Sequence, residues 1–327
     1  MVEKKLLAVV TGATGQFSSY MIPFLLKKGY RVIGTVRRNS TNCLHRIKSL
    51  LNHPDFQLET VDILDSGALY RCISENKPDE LYHSAAQSFV KLSWDEPYNT
   101  SLITGLGVTN VLEAVRNGNY NTKVWFAASS EMFGKVIETP QSIKTPLNPS
   151  SPYAAAKCYG YHMVKIYRES YKDFYCCSSI MFNNESKNRG IEFVTRKITD
   201  GVARIKLGMD DSITLGNLDA QRDWSHTYDI VRGAWLQLQQ DIPQDFVFSS
   251  NETHSIREFL SIAFARAGID NWEKYIKQDE RFMRPNDVNL LLGDSSEARK
   301  ILGWSPIYSF KDLVHEMVDA DIERLSS

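Results

Sequence analysis

Short apolar runs alternate with longer stretches of helical periodicity through the first half of the chain. The runs at 6–10, 30–36, 56–61, 78–85, 123–128 and 175–182 are apolar for most of their length and read as strands covered on both faces. Between them lie an amphipathic stretch that runs through Lys28 to a Gly29 stop, and helical patterns at 66–76, 99–117 and 153–171. Strands that alternate with helices predict an α/β fold, a Rossmann-type doubly wound parallel sheet. After residue 182 the pattern changes. A polar loop at 183–190 leads to a helix at 193–207, a short strand at 212–215, a charged loop at 221–224 and a helix at 229–239. A strand at 245–249 is expected to rejoin the first sheet, and a serine-capped helix follows at 255–268. No repeat and no low-complexity linker divides the chain. The expected organisation is therefore a dinucleotide-binding domain over 1–182, to which about 225–265 returns, and a smaller, interleaved α/β substrate domain over 183–327.

Ligands of such a sheet lie at the carboxyl ends of its strands, and the marked residues fall there. The first strand is followed by Gly12-Ala13-Thr14-Gly15-Gln16-Phe17-Ser18. Glycines at this turn let the backbone approach a pyrophosphate at a helix N-terminus, which makes Gly12, Thr14, Gly15 and Gln16 candidate cofactor contacts. The second strand ends in Val36-Arg37-Arg38, without the acid that holds the ribose of NAD. Arginine suits a 2′-phosphate, so Arg37 points to NADP. Asp62-Ile63 at the third strand end would face the adenine. The small residues Ala85-Ala86-Gln87-Ser88 at the fourth would let a cofactor lie across the sheet edge.

Ser129-Ser130-Glu131 ends the fifth strand, and Ser150-Ser151-Pro152 opens the helix that carries Tyr153 and Lys157. Four residues apart, Tyr153 and Lys157 share one helical face. A lysine cation beside the phenol is expected to lower its pKa and make it a base for an alcohol proton. Glu131 supplies a second base, and the alanines at 154–156 leave room for a planar ring. Tyr161 and Lys165 repeat the spacing, but with His162-Met163-Val164 between them they read as ordinary helix.

The bulk properties narrow the partners. A formal net charge of −1 argues against nucleic acid, and no apolar run is long enough to cross a bilayer. The start of the chain has no signal-peptide pattern, and five cysteines without a C-x-x-C pair indicate neither zinc nor a disulfide framework. No metal site and a cytosolic location are the expectation. Arg189, Arg196, Lys197, Arg222 and Arg284 in the second half would suit an anionic substrate such as a sugar nucleotide.

The glycine-rich turn, the Ser-Ser-Glu group and the Tyr-x-x-x-Lys pair resemble those of the extended short-chain dehydrogenase/reductases. Further blocks are similar to the GDP-mannose 4,6-dehydratases among them: Val36-Arg37-Arg38-Asn39-Ser40, Ala85-Ala86-Gln87-Ser88, 130–135 (SEMFGK), Asn184-Glu185-Ser186, 193–197 (FVTRK), 215–224 (LGNLDAQRDW), Arg284-Pro285 and 290–294 (LLLGD). The resemblance covers nearly the whole chain in order. It implies that Tyr153 takes the proton of the sugar C4 hydroxyl while NADP takes the hydride, that Lys157 holds the cofactor ribose, and that Ser129 bonds the C4 oxygen. Glu131 would remove the C5 proton and protonate the departing C6 hydroxyl, and the hydride would return to C6. It places Asn184 and Arg189 at the cofactor and Ser88, Ser130, Asn183, Lys197, Arg222, Arg284 and Asp287 on the sugar-nucleotide side. It also implies a homo-oligomer, a dimer or a tetramer in which the segment 38–42 reaches across an interface. The chain departs from the pattern at Phe17 and Ser18, where relatives have Asp and Gly, and at Phe89 and Asn184, where they have histidine. A 4,6-dehydratase of another GDP-sugar such as GDP-mannoheptose, or a C4 oxidase or epimerase, stays open at this point. A protein that only senses NADP would not need the intact Tyr153/Lys157 pair.

Overall fold

The computed structural model describes residues 4–40, 43–279 and 290–326. The principal sheet consists of β1 (Leu7–Thr11), β2 (Arg31–Val36), β3 (Phe56–Thr60), β4 (Glu80–His83), β5 (Lys123–Ser129), β6 (Cys176–Met181) and β7 (Phe246–Phe248). Its order is β7-β6-β5-β4-β1-β2-β3, and every neighbouring pair is parallel. The chain leaves β1 toward one edge through β2 and β3, then crosses back to build the other edge. The reversal lies between β1 and β4, the position at whose strand ends sheets of this kind bind their ligands.

Helices cover both faces. Leu7 and Val9 of β1, with Val124, Phe126 and Ala128 of β5, pack under α2 (Ser66–Asn76), α3 (Gly107–Gly118) and α4 (Pro152–Ser170). The alternate residues Ala8, Val10, Trp125 and Ala127 pack under α1 (Gln16–Lys27). This period of two is why each run is apolar throughout rather than alternating. A third core unites α5 (Val194–Lys206), α7 (Ile256–Ala267) and α9 (Phe310–Ser326) through Ile198, Val202, Phe259, Phe264 and Met317. The layer over Trp125 also holds Ile230 and Ala234 of α6 (Thr227–Leu238), Leu302 of α8 (Ser296–Leu302) and Trp304. The strand expected at 245–249 does join the principal sheet, as β7 beside β6. The segment 256–267, by contrast, packs in the third core, while 298–304 return to the sheet.

Two local expectations change. The helix at 99–117 is interrupted: Pro97–Thr100 leads into a π turn at Ser101–Leu106 before α3 begins. The polar loops at 183–190 and 221–224 contain short strands. Asn183–Glu185 pairs in parallel with Trp224–His226, and Gln221–Arg222 lies between His254–Ser255 and Leu290–Leu291. These pairings carry the chain from β6 directly into the third core.

Candidate active site

The turn after β1 brings backbone against backbone. A Cβ at Gly12 would lie 3.0 Å from the Ala85 Cα, so glycine is needed for this approach. Thr11 Oγ1 accepts from the Ser84 and Ala85 N–H groups, both at 3.2 Å, and thereby joins the ends of β1 and β4. α1 starts after an extended Gly15, with no side-chain cap and no acid in its first turn. Its free N–H groups and dipole suit an anion. At the end of β2, Arg37 and Arg38 are exposed, and no carboxylate among the described residues pairs with either. This edge suits the diphosphate of a nicotinamide dinucleotide.

The other residues expected at the cofactor line the same edge. Asp62 is exposed and its Oδ1 accepts from the Leu64 N–H at 2.9 Å, while Ile63 is buried against Gly107. The Gln87 N–H donates to Thr104 Oγ1 at 3.1 Å, and its side-chain Nε2 donates to Thr100 Oγ1 at 3.1 Å. Both threonines belong to the interrupted helix, which thus holds Ala86-Gln87-Ser88 in place. Gln16 reaches across to the second half: Nε2 donates to the Asn184 carbonyl at 3.0 Å, and Oε1 accepts from Ser186 Oγ at 3.0 Å.

The catalytic candidates converge at the ends of β5 and α4. Ser151 caps α4 by accepting from the Ala154 N–H at 3.1 Å, with Pro152 in the first turn. Ser129 Oγ accepts from the Glu131 N–H at 3.3 Å and lies near enough to the Tyr153 hydroxyl to influence its titration. Ser130 is buried beneath them. Lys157 Nζ donates to the Ala127 carbonyl at 2.6 Å and lies 4.9 Å from the Phe126 ring centre.

The titration of this group differs from the expectation. Burial pushes the Tyr153 hydroxyl up to about 12, helped by the Glu131 charge, while the Ser129 hydroxyl and the Arg189 charge pull it down. Lys157 Nζ is 5.8 Å from the Tyr153 ring centre and is engaged by Ala127, and burial lowers it to about 7. In this chain alone, desolvation therefore outweighs the cation expected beside the phenol.

The substrate-side candidates come from separate elements of the second half. Asn183 follows β6, Arg222 is buried and donates to the Gln221 carbonyl at 2.9 Å, and Lys197 is half-buried on α5. Burial lowers the Lys197 pKa, and the neighbouring Lys91 lowers it further. Arg189 pairs with buried Glu185 at 3.0 Å and stacks over Phe193 at 3.5 Å from the ring centre. Phe89 meets Phe193 edge-on at 5.5 Å. Arg284 and Asp287, as well as Thr41 and Asn42 of the segment 38–42, lie outside the described residues.

The departures at 17 and 18 turn out to belong to the core. Phe17 stacks on Trp125 with ring centres 4.8 Å apart, and Ser18 Oγ bonds Ser84 Oγ at 3.0 Å. Sequence reading missed His83, which is fully buried beside Phe126. Thr11 Oγ1 meets its Nδ1 at 2.9 Å, and Nε2 has no partner among the described residues. Burial, reinforced by Lys157, lowers its pKa to about 3. It also missed Arg46 and Asn188, whose partners are distant in sequence. Lys91 was missed although it adjoins the marked Ser88-Phe89.

Known proteins share this plan. A GDP-mannose 4,6 dehydratase family model matches residues 9–317. GDP-mannose 4,6 dehydratase 1 of Arabidopsis thaliana is 42% identical over 333 residues, covering 99% of this chain and 91% of the relative. GDP-mannose 4,6 dehydratase of Dictyostelium discoideum is 42% identical over 352 residues, covering 100% and 99%. The crystal structure of DesIV, a dTDP-glucose 4,6-dehydratase from Streptomyces venezuelae with NAD and TYD bound, superposes with a TM-score of 0.88 at 22% identity, covering 98% of each chain. At that identity it establishes the fold alone. With the sheet order, the strand-end residues and the family match extending over almost the full length, the chain belongs to the GDP-mannose 4,6-dehydratase family.

Proposed function

We propose that the chain is a GDP-mannose 4,6-dehydratase, a hydro-lyase that converts GDP-mannose to GDP-4-keto-6-deoxymannose with NADP as its nicotinamide cofactor. The observation that carries the reading is the convergence of Ser129, Glu131 and Tyr153 at one strand edge, with Lys157 behind them, in a full-length member of this family. Gly12, Gly15 and the open N-terminus of α1 hold the diphosphate, and Arg37 and Arg38 hold the 2′-phosphate. Bound there, the nicotinamide supplies the hydride acceptor for sugar C4 and the hydride donor for C6. Tyr153 takes the C4 hydroxyl proton, for which it must be brought down from about 12; Lys157 and Arg189 are the nearby cations. Ser129 steadies the C4 oxygen. Glu131 takes the C5 proton, made acidic by the 4-keto group, and passes it to the C6 hydroxyl as water leaves; the proton that Tyr153 took from the C4 hydroxyl is then returned to C5 as the hydride reaches C6, so both bases regain their starting state. Asn183, Lys197 and Arg222 bind the GDP. The principal sheet is the cofactor domain, and the third core carries the sugar-nucleotide side.

The exposed Trp94, Tyr98, Leu106, Tyr159 and Ile166, which lie on α4 and the interrupted helix region beside it, support a homo-oligomer. The free thiols suit a cytosolic compartment. Among the described residues no helix is long and apolar enough to cross a membrane.

The test is incubation of the purified chain with GDP-mannose without added cofactor, followed by product mass. Loss of one water without net NADPH is expected, and Tyr153→Phe should abolish it while cofactor binding persists. If Glu131→Gln formed product at the full rate, the elimination mechanism would be wrong. Loss of water from GDP-mannoheptose but not from GDP-mannose would retain the chemistry and reassign the substrate.

A further inference from the structure

Three stretches far apart in sequence meet at the glycine-rich turn. From the first, Gln16 Nε2 donates to the Asn184 carbonyl and Gln16 Oε1 accepts from Ser186 Oγ, each at 3.0 Å. Asn188 Nδ2 donates to Ser19 Oγ at 2.8 Å, and that hydroxyl donates to the Gln16 carbonyl at 2.6 Å. Arg46, on the turn after β2, closes the ring. Its Nε donates to the Asn188 carbonyl at 2.8 Å and its Nη1 to the Thr14 carbonyl at 3.0 Å. Charge-assisted bonds of this kind exceed neutral ones in strength. The segment 184–189 is thus fastened to the first turn of α1 at one end, while at the other the Arg189 charge is felt at the Tyr153 hydroxyl. It runs between the diphosphate-binding turn and the catalytic tyrosine.

We propose that Arg46 and Asn188 form a latch that retains the nicotinamide dinucleotide through repeated turnovers. The inference rests on the function proposed above, in which the hydride leaves C4 and returns to C6. Oxidised cofactor is regenerated in place, and release serves no step of the cycle. A binding edge that opened freely would lose it between turnovers. The Gln16 bonds alone tie only one residue of α1 to the segment. Arg46 adds a bridge from the carbonyl of the phosphate-binding turn itself to the same segment. In this latch the bonds close over a bound dinucleotide, so they must break together when it leaves but need not be formed when it arrives. Arg46 and Asn188 are positioning residues: neither needs to touch the reacting atoms.

The test follows release of prebound NADPH from the full chain by fluorescence, with excess NADP⁺ as the chase. Arg46→Met should speed release at least tenfold and change the association rate by less than about threefold. Arg46→Lys, which can keep one of the two bonds, should fall between. Asn188→Ala removes only the Ser19 contact on a half-buried side chain, so it tests the latch even if the arginine variants fold poorly; it should speed release several-fold. Wild-type release rates in both Arg46→Met and Asn188→Ala would overturn the latch. So would an equal slowing of association, which indicates a damaged site rather than a lost fastening. Failure of the wild-type chain to bind either NADPH or NADH would instead remove the proposed function on which the latch depends.

Discussion

Replacing Gly134 by alanine should damage the reaction through geometry alone. Gly134 ends the turn that carries Ser130 and Glu131, at φ +52° and ψ −120°. A Cβ there would stand 1.8 Å from the Asn148 carbonyl oxygen. Real contacts of this kind do not fall below 3.0 Å, so the two segments must separate by at least about 1.2 Å. They are stitched together: the Asn148 N–H donates to the Met132 carbonyl at 3.0 Å, and the Lys135 N–H to the Asn148 carbonyl at 3.3 Å. Three residues after Asn148, Ser151 caps the helix of Tyr153 and Lys157. The clash therefore drives the Glu131 turn away from the Tyr153 helix. A misplacement of about 1 Å costs roughly 10²-fold in rate, and a non-glycine residue in this backbone region costs about 1–3 kcal/mol. Gly134→Ala is expected to lower kcat by about that factor at saturating GDP-mannose, measured by product mass, and to lose stability in urea within that range. Gly208→Ala separates strain from displacement, because Gly208 also has positive φ (+70°) but open space at its Cβ. It should lose stability and keep kcat. A Gly134→Ala chain with wild-type kcat and wild-type stability would refute the reasoning.

The remaining predictions concern anchoring, titration and cofactor choice. Arg168 and Asp245 form a two-pronged pair, both bonds 2.7 Å, that ties α4 to the start of β7, and Asp245 also accepts from the Ser178 N–H at 2.7 Å. Arg168→Met leaves a carboxylate that is 6% exposed without its partner and should cost roughly 3–5 kcal/mol by denaturant unfolding, part of which Asp245→Asn in the same chain should restore. With Lys157 lowered to about 7, the folded chain has released a proton that the unfolded chain still holds up to the ordinary lysine value of 10.5. Stability of the cofactor-free protein should therefore rise with pH across that window, and Lys157→Met should flatten the rise. His83, lowered from 6.5 to about 3, acts in the acid range. Below 6.5 the unfolded chain takes up a proton that the folded chain refuses, so stability falls as pH drops toward 3, less steeply in His83→Asn. Finally, Arg37→Ala with Arg38→Ala should weaken NADP far more than NAD in equilibrium titrations, and equal binding of the two by the wild type would sink the 2′-phosphate assignment.

The sheet was legible because its strands are covered on both sides. Runs such as 6–10 and 123–128 are apolar throughout, and the turns that end them carry the marked residues. The cap and first turn of α4 were equally plain from Ser151-Pro152. The short pairings of the second half were not, since three-residue strands such as Asn183–Glu185 have neither length nor apolar character to announce them. Phe17 looked like a departure at the cofactor, but a phenylalanine in the first turn of α1 can equally point inward, and Trp125 from β5 supplies its partner. Arg46 and His83 escaped notice because their significance lies in partners 142 and 72 positions away in sequence. The placement of Tyr153 and Lys157 could be read from spacing, but their titration could not. It depends on how deeply the two side chains are buried, and burial is a property of the assembled fold.

The π turn at Ser101–Leu106 changes the helical phase of everything after it. In an unbroken α-helix, Thr100, Thr104, Val108, Val111 and Val115 would form a single stripe facing one neighbour. Here Thr100 and Thr104 bond Gln87, whereas Val108, Val111 and Val115 lie in the core with Ile63 and α2. The wide turn accommodates one residue more than an α-turn and so rotates the second stripe away from the first. The segment can thus serve two masters, a polar strand end and an apolar layer. A chain one residue shorter at this point would straighten the helix and force those two surfaces into competition for the same side.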